Sequence, residues 1–121
     1  DDETDITIHG NEYLLKTAFV NLIENGCKFS DDHRSSVSIS VMDGKIHIVF
    51  SDRGIGIPKE DLDNVFIPFY RGENKDRAEG HGIGLSLSEK IIHLHRGTIG
   101  ATSNPGEGSS FTVILSSIRR F

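Results

Sequence analysis

Apolar residues recur at helical spacing from Glu12 to Phe29, and at about 100° per residue Ala18, Phe19, Leu22 and Ile23 fall on one side. Asn11 precedes this run as an N-cap, so a helix is expected over 12–29. Ahead of it, "DITIH" alternates and predicts a short strand. "VSISVM" and "KIHIVFS" alternate at period two and are joined by Asp43-Gly44, a strong hairpin signal. "DRGIGIP" reads as a turn-rich loop, and "KEDLDNVFIPFY" as a short helix with an irregular segment interrupted at Pro68. "RGENKDRAEGHG" is charged and almost without apolar residues, which predicts a mobile loop. "IGLSLSEKIIHLH" predicts a second long helix, with Gly97 as its C-terminal stop. "GTIGATS" and "SSFTVILSSI" predict two strands around the turn "NPGEG". The order strand, helix, strand, strand, loop, helix, strand, strand implies an α+β two-layer sandwich. Its sheet should be mixed, largely antiparallel, with helices on one face. Too few strand-helix-strand crossovers are available for a doubly wound parallel sheet.

The 121 residues suit one domain, here taken as 1–121. Hydrophobic residues at 36% and charged residues at 26% are ordinary for a globular domain, so no special class is called for. A formal charge of −5 supplies no global basic field, which argues against nucleic acid or an anionic membrane as partner. An anion would have to be held by a local device. No apolar run approaches the roughly 18 residues of a membrane span, and "DDETDITIHG" does not pattern as a signal peptide. The acidic stretch Asp1 to Asp5, without an initiator Met, is compatible with the cut end of something longer. Cys27 is the single cysteine, which fits a reducing compartment and reads as a small packed side chain.

Several positions carry candidate chemistry. Asn21, Glu24, Asn25 and Lys28 are spaced i, i+3, i+4, i+7 and form one stripe of the first helix. The stripe is either a solvated face or a wall that something fills. An amide oxygen such as that of Asn25 can ligate Mg²⁺, and Lys28 can meet a phosphate as a point charge. Asp52 shares its parity with Ile46, Ile48 and Phe50, which aims a carboxylate at the apolar side of the sheet. A buried carboxylate needs a donor. Asp52 is therefore either a turn residue capping the next loop's amides or a ligand contact. Gly54 and Gly56 follow it and permit close backbone approach or positive φ.

Gly80, Gly82 and Gly84 alternate before a helix start, where free amides suit a phosphate. A flexible hinge without a ligand is the alternative. The context matches neither a dinucleotide fingerprint nor a Walker A loop. In the aromatic group of Phe66, Phe69 and Tyr70 the two phenylalanines read first as core packing, and Arg71, Lys75 and Arg77 as a solvated loop or a lid over phosphates. His93 and His95 are two apart on a helix and do not share a face, while His9, His33 and His47 have no clustered partners. No zinc spacing or Ser-His-Asp arrangement is evident.

Taken in order, "NLIENGCKFS", "DRGIGIP", "FIPFYRG" and "GHGIGLSLS" resemble the N, G1, F and G2 boxes of the catalytic ATP-binding domain of sensor histidine kinases. That domain belongs to the superfamily shared with DNA gyrase, the Hsp90 chaperone and MutL. The resemblance covers almost the whole chain, from Ile6 to Leu115. It implies the Bergerat fold, with ATP between the helices and a flexible lid over about 70–81. It further implies that Asp52 accepts the adenine amino group, with Gly54 and Gly56 letting the base lie close. Asn25 would coordinate Mg²⁺, Asn21 would support the metal-phosphate end, and Lys28 would contact phosphate. Phe29 and Tyr70 would flank the nucleotide, Phe66 and Phe69 would anchor the lid, and Arg71 would reach the γ-phosphate. Gly82, Ile83, Gly84 and Leu85 would bring amides to the phosphates, with His81 beside them. Ser109 would take part in a water-mediated adenine contact.

Hydrolysing relatives place a Glu general base four residues before the Mg²⁺ Asn, and here that position is Asn21. The resemblance therefore implies phosphoryl transfer to a protein histidine more than ATP hydrolysis, with Asn21, Lys28 and Arg71 in the catalytic set. Gly26 stands where Ala is commoner. The implied partners are a helical dimerisation domain carrying the acceptor histidine, for which no convincing helix is found in this sequence, and a response regulator downstream. The implied location is cytoplasmic, in a parent protein anchored in a membrane. An ATPase of the same superfamily, an anti-sigma-type serine kinase and a degenerate partner-binding module stand as alternatives.

Overall fold

The computed structural model describes residues 10–54, 56–57, 59–67, 84–104 and 107–116, without the side chains of 26–34 and 104. Helix α1 (Glu12–Phe29) is followed by strands β1 (Ser30–Met42) and β2 (Lys45–Gly54). A one-turn helix α2 (Lys59–Leu62), helix α3 (Gly84–Leu94) and strands β3 (Thr98–Asn104) and β4 (Gly108–Ser116) complete the described elements. The predicted strand at Asp5 to His9 lies outside the described residues.

Local chemistry sets these boundaries. Asn11 Oδ1 accepts the Leu14 amide at 2.9 Å, capping α1 as its sequence position predicts. Asp43 and Gly44 take φ of 54° and 76°, the paired positive values of a type I′ hairpin. The stop of α3 differs from expectation. The Gly97 amide donates to Ile92 O at 2.9 Å and the Arg96 amide to His93 O at 3.0 Å, a Schellman pair. The left-handed residue in that motif is Arg96, with φ 62°, and not Gly97. Gly97 is required for another reason: a Cβ on it would lie 2.6 Å from the Ile114 carbonyl oxygen. Strand β1 also begins earlier than its alternation suggested, with a register shift between Ser30 and Ser35.

The order of the described strands is β1-β2-β4-β3, and each pairing among them is antiparallel. Register places residues of one parity in ranks across the face that meets the helices. Val41, Ile46 and Leu115 form one rank, and Ile39, Ile48, Val113 and Ile99 the next. Val37, Phe50, Phe111 and Ala101 form the third. The fourth is polar throughout: Ser35, Asp52, Ser109 and Ser103. Helices α1 and α3 cover the apolar ranks. Leu15, Ala18 and Leu22 from α1 and Ile91 and Ile92 from α3 join the strand residues in one buried cluster. Each fully buried Leu, Ile or Val there contributes about 1.5–3 kcal/mol relative to exposure. Ala18 and Ser88 are fully buried, and the Ser88 hydroxyl donates to Ala18 O at 3.0 Å, fixing α3 against α1.

The buried face of α1 is rotated from the one expected. Leu15, Ala18 and Leu22 form it, while Ile23 stands 36% exposed at its margin. Val37, Ile39 and Val41 on β1, the outermost described strand beside β2, share the helix-side parity but are exposed. Among the described strand residues, burial is concentrated on β2 and β4.

Candidate functional site

The site begins where the hydrophobic alternation of β2 ends. Ile46, Ile48 and Phe50 point into the core, and the next residue of that parity is Asp52, only 8% exposed. Its carboxylate is fixed by two donors. Oδ1 accepts the Gly54 amide at 2.9 Å, and Oδ2 accepts the Ser109 hydroxyl at 2.7 Å. Asp52 therefore caps the following loop, as the turn reading expects, and its parity places it on the helix side of the sheet. An ionised carboxylate offers about four lone-pair positions, so two bonds leave accepting capacity for a ligand donor. Ser109 is thus a direct partner of the carboxylate.

The backbone crowds closely around this group. Gly108, with φ 119°, is buried against it, and a Cβ there would collide with the Asp52 carbonyl oxygen. Gly54 and Gly56 are buried, and Gly56 has φ 77°, which fits the permissive role predicted for the loop. The Ser103 hydroxyl accepts the Ile57 amide at 2.6 Å and donates to Gly108 O at 3.0 Å. A recess of about 230 Å³ is lined by Asp52, Thr102, Ser103, Glu107, Gly108, Ser109 and Ser110. Among the described residues, the lining comes from β2, β3, β4 and the turn before β4, at the polar end of the sheet.

The helices bring a second group together. Asn21 and Asn25 are half-buried on α1, one turn apart. Gly84, the first residue of α3, lies opposite Asn21: a Cβ on Gly84 would sit 3.9 Å from Asn21 Cγ. The α3 N-terminus, the positive end of the helix dipole, therefore stands beside the amide stripe of α1. Leu85 packs against the core, so its side chain is structural. Phe66 meets Phe111 edge to face with centroids 6.0 Å apart, anchoring the segment after α2 to the sheet. Glu24 is exposed.

The side chains of Lys28 and Phe29 lie outside the described residues, as do Phe69, Tyr70, Arg71, His81, Gly82 and Ile83 and the expected lid. Two contributors escaped the sequence reading. Ser103 belongs to no glycine or aromatic box, and only its register with Ser109 signals it. The sequence reads His95 only as not sharing a helix face with His93; its Nε2 accepts the Asn11 amide at 3.0 Å and its Nδ1 meets Ile91 O at 2.8 Å. It ties the start of α1 to the end of α3. Among the described residues, no group of three or more His, Cys, Asp or Glu side chains is placed to hold a metal. No described helix is long and apolar enough to cross a membrane.

The described residues thus form an α+β sandwich: an antiparallel sheet with helices on one face, a buried carboxylate at the sheet's end and a helix N-terminus beside an amide stripe. The chain belongs to the histidine kinase-, DNA gyrase B- and HSP90-like ATPases, whose family model matches residues 10–118. It is 40% identical over 119 residues to the sensor-like histidine kinase SenX3 of Mycobacterium bovis, covering 95% of this chain and 29% of that protein. It is 37% identical over 113 residues to the heme sensor protein HssS of Staphylococcus haemolyticus, covering 90% of this chain and 24% of that protein. The chain thus spans less than a third of these curated relatives. In fold it is similar to the mycobacterial sensor histidine kinase MprB, with a TM-score of 0.85, 24% identity, and coverage of 93% of this chain and 78% of that one.

Proposed function

We propose that this domain holds Mg-ATP and presents its γ-phosphoryl group to a histidine on a separate helical dimerisation domain, as one step of two-component signalling. The observation that carries the reading is Asp52, a buried carboxylate held rigidly by Gly54 and Ser109 at the polar edge of the helix-covered face. Such a group, with lone pairs to spare, suits the exocyclic amino group of adenine. The names of the relatives, sensor histidine kinases among them, support transfer to histidine over transfer to serine.

The amide stripe of α1 fits the metal. Mg²⁺ takes few protein oxygens and completes its shell with substrate phosphates and water, so one amide such as Asn25 suffices without a carboxylate cluster. When bound, the ion neutralises charge on the transferring phosphates. The chain's own residues position the reactants. Asp52 sets the base, and Asn21 with the α3 N-terminus receives the phosphate end. Lys28 and Arg71 are the proposed counter-charges there. The acceptor imidazole nitrogen forms the new bond to phosphorus as the bond to the β-phosphate oxygen breaks, and ADP leaves. Asn21 is a poor proton acceptor, and Glu24 is exposed, which disfavours hydrolysis as the main reaction. The proposed partners are that dimerisation domain and a response regulator, in a cytoplasmic part of a membrane-anchored parent protein.

The decisive measurement is calorimetric titration with ATP and ADP, with and without Mg²⁺, on wild type and Asp52→Ala. Absence of binding by wild type at millimolar nucleotide overturns the reading. Mixing the domain with a dimerisation fragment and γ-labelled ATP tests the transfer: an acid-labile label on the fragment is expected, and an acid-stable one points to serine.

A further inference from the structure

Ser103 does more than complete a strand. It stands in the polar rank beside Ser109 and Asp52, on the strand furthest from β1. A hydroxyl has one donor and two acceptor positions, and here one of each is used. The acceptor takes the Ile57 amide, 46 residues away in the loop that follows Asp52. The donor goes to Gly108 O, on the segment that packs directly against the Asp52 backbone. Ser103 therefore fastens the two pieces of chain that flank Asp52. One is the loop whose Gly54 amide holds Oδ1; the other opens the strand whose Ser109 holds Oδ2.

We propose that Ser103 is a positioning residue for the base end of the nucleotide site, an inference that rests on the Mg-ATP reading above. It touches no reacting atom. Its effect is preorganisation: with the loop pinned, the Asp52 carboxylate and the buried Gly54 and Gly56 backbone are set before the base arrives. Removing the hydroxyl leaves the Ile57 amide without that partner and lets the loop move relative to Asp52. The phosphate end, built on α1 and α3, is untouched. The loss should therefore be the same for ADP as for ATP, and the increment between the two nucleotides should not change.

The test uses the full chain and three variants: Ser103→Ala, Ser103→Thr and Ser51→Ala. Ser51 is the control, because its hydroxyl meets Ser110 at 3.0 Å on the helix-free side of the same sheet. Calorimetry should show ATP and ADP both weakened about five- to tenfold by Ser103→Ala. Ser103→Thr, which keeps the hydroxyl, should restore affinity to within about twofold of wild type, and Ser51→Ala should match wild type. Amide exchange on wild type gives a second measurement that needs no variant to fold: Ile57 should be protected without nucleotide. Wild-type affinity in a folded Ser103→Ala overturns the inference alone, as does weakening confined to ATP or an unprotected Ile57 amide. Failure of wild type to bind any nucleotide overturns the functional reading, and this inference with it.

Discussion

Phe50, Phe111 and Ala101 lie in one rank across β2, β4 and β3, and Asp52, Ser109 and Ser103 lie in the next. The two ranks share strands, register and the face that meets the helices, yet they serve different ends. The first packs against Phe19 and Phe66, with ring centroids 5.9 and 6.0 Å away, and holds the layers together. The second replaces apolar contact with hydrogen bonds whose donors and acceptors come from separate segments. One step of two residues along a strand thus separates what stabilises the domain from what it is proposed to bind with. The pleat makes this possible, because only every second residue addresses the helix layer.

If the division is real, substitutions in the two ranks should move different quantities. The largest effect belongs to Phe111→Ala. Phe111 is 2% exposed and touches Phe66, so truncation should lower stability by about 3–5 kcal/mol in urea unfolding. ATP affinity among the remaining folded molecules should change far less than stability. Next comes Asp52→Ala, expected to weaken ATP binding by tenfold or more, on the order of 1.5–3 kcal/mol for a hydrogen bond to a charged group. Its unfolding midpoint should fall much less than that of Phe111→Ala. A loss of stability equal to the core variant's would erase the distinction between the ranks.

Ser109→Ala sharpens the comparison within the polar rank. It removes one donor from Asp52 while Gly54 still holds the other oxygen. A loss of about 1 kcal/mol in ATP affinity is expected, smaller than for Asp52 itself. Unchanged or tighter binding in the same titration would mean that Ser109 merely occupies the carboxylate and does not aim it.

Much of this was legible in the sequence, and what was not has physical causes. Parity alone aimed Asp52 inward, because the period of two holds wherever a strand stays regular. Asp43-Gly44 announced its turn through the one backbone conformation both residues need. Ser103 was hidden because its role depends on register between β3 and β4 and on a loop 46 residues away, neither of which is local. Ile23 was misplaced for a related reason. Helical periodicity gives the phase of an apolar stripe, but burial depends on what lies opposite, and the described neighbours favour Leu15, Ala18 and Leu22. Gly97 was recognised as special and given the wrong reason, since close packing and left-handed backbone both select glycine.

That last error supplies the finest test of the division. Arg96 is exposed and carries a φ of 62°, a conformation that costs an L-residue about 1–2 kcal/mol. Glycine would relieve the strain but lose more backbone entropy on folding, about 0.5–1 kcal/mol relative to Ala in regular structure. The net expectation for Arg96→Gly is a gain of about 0.5–1 kcal/mol, read as a higher urea midpoint. The Schellman pair that ends α3 leads directly into Gly97, which packs on Ile114 and Leu115, at the end of β4 away from Ser109. Tightening that end should leave the polar rank where it is, so ATP affinity should stay within error of wild type. A coupled change in affinity would mean that the sheet transmits strain along its whole length, and that the two ranks are not independent.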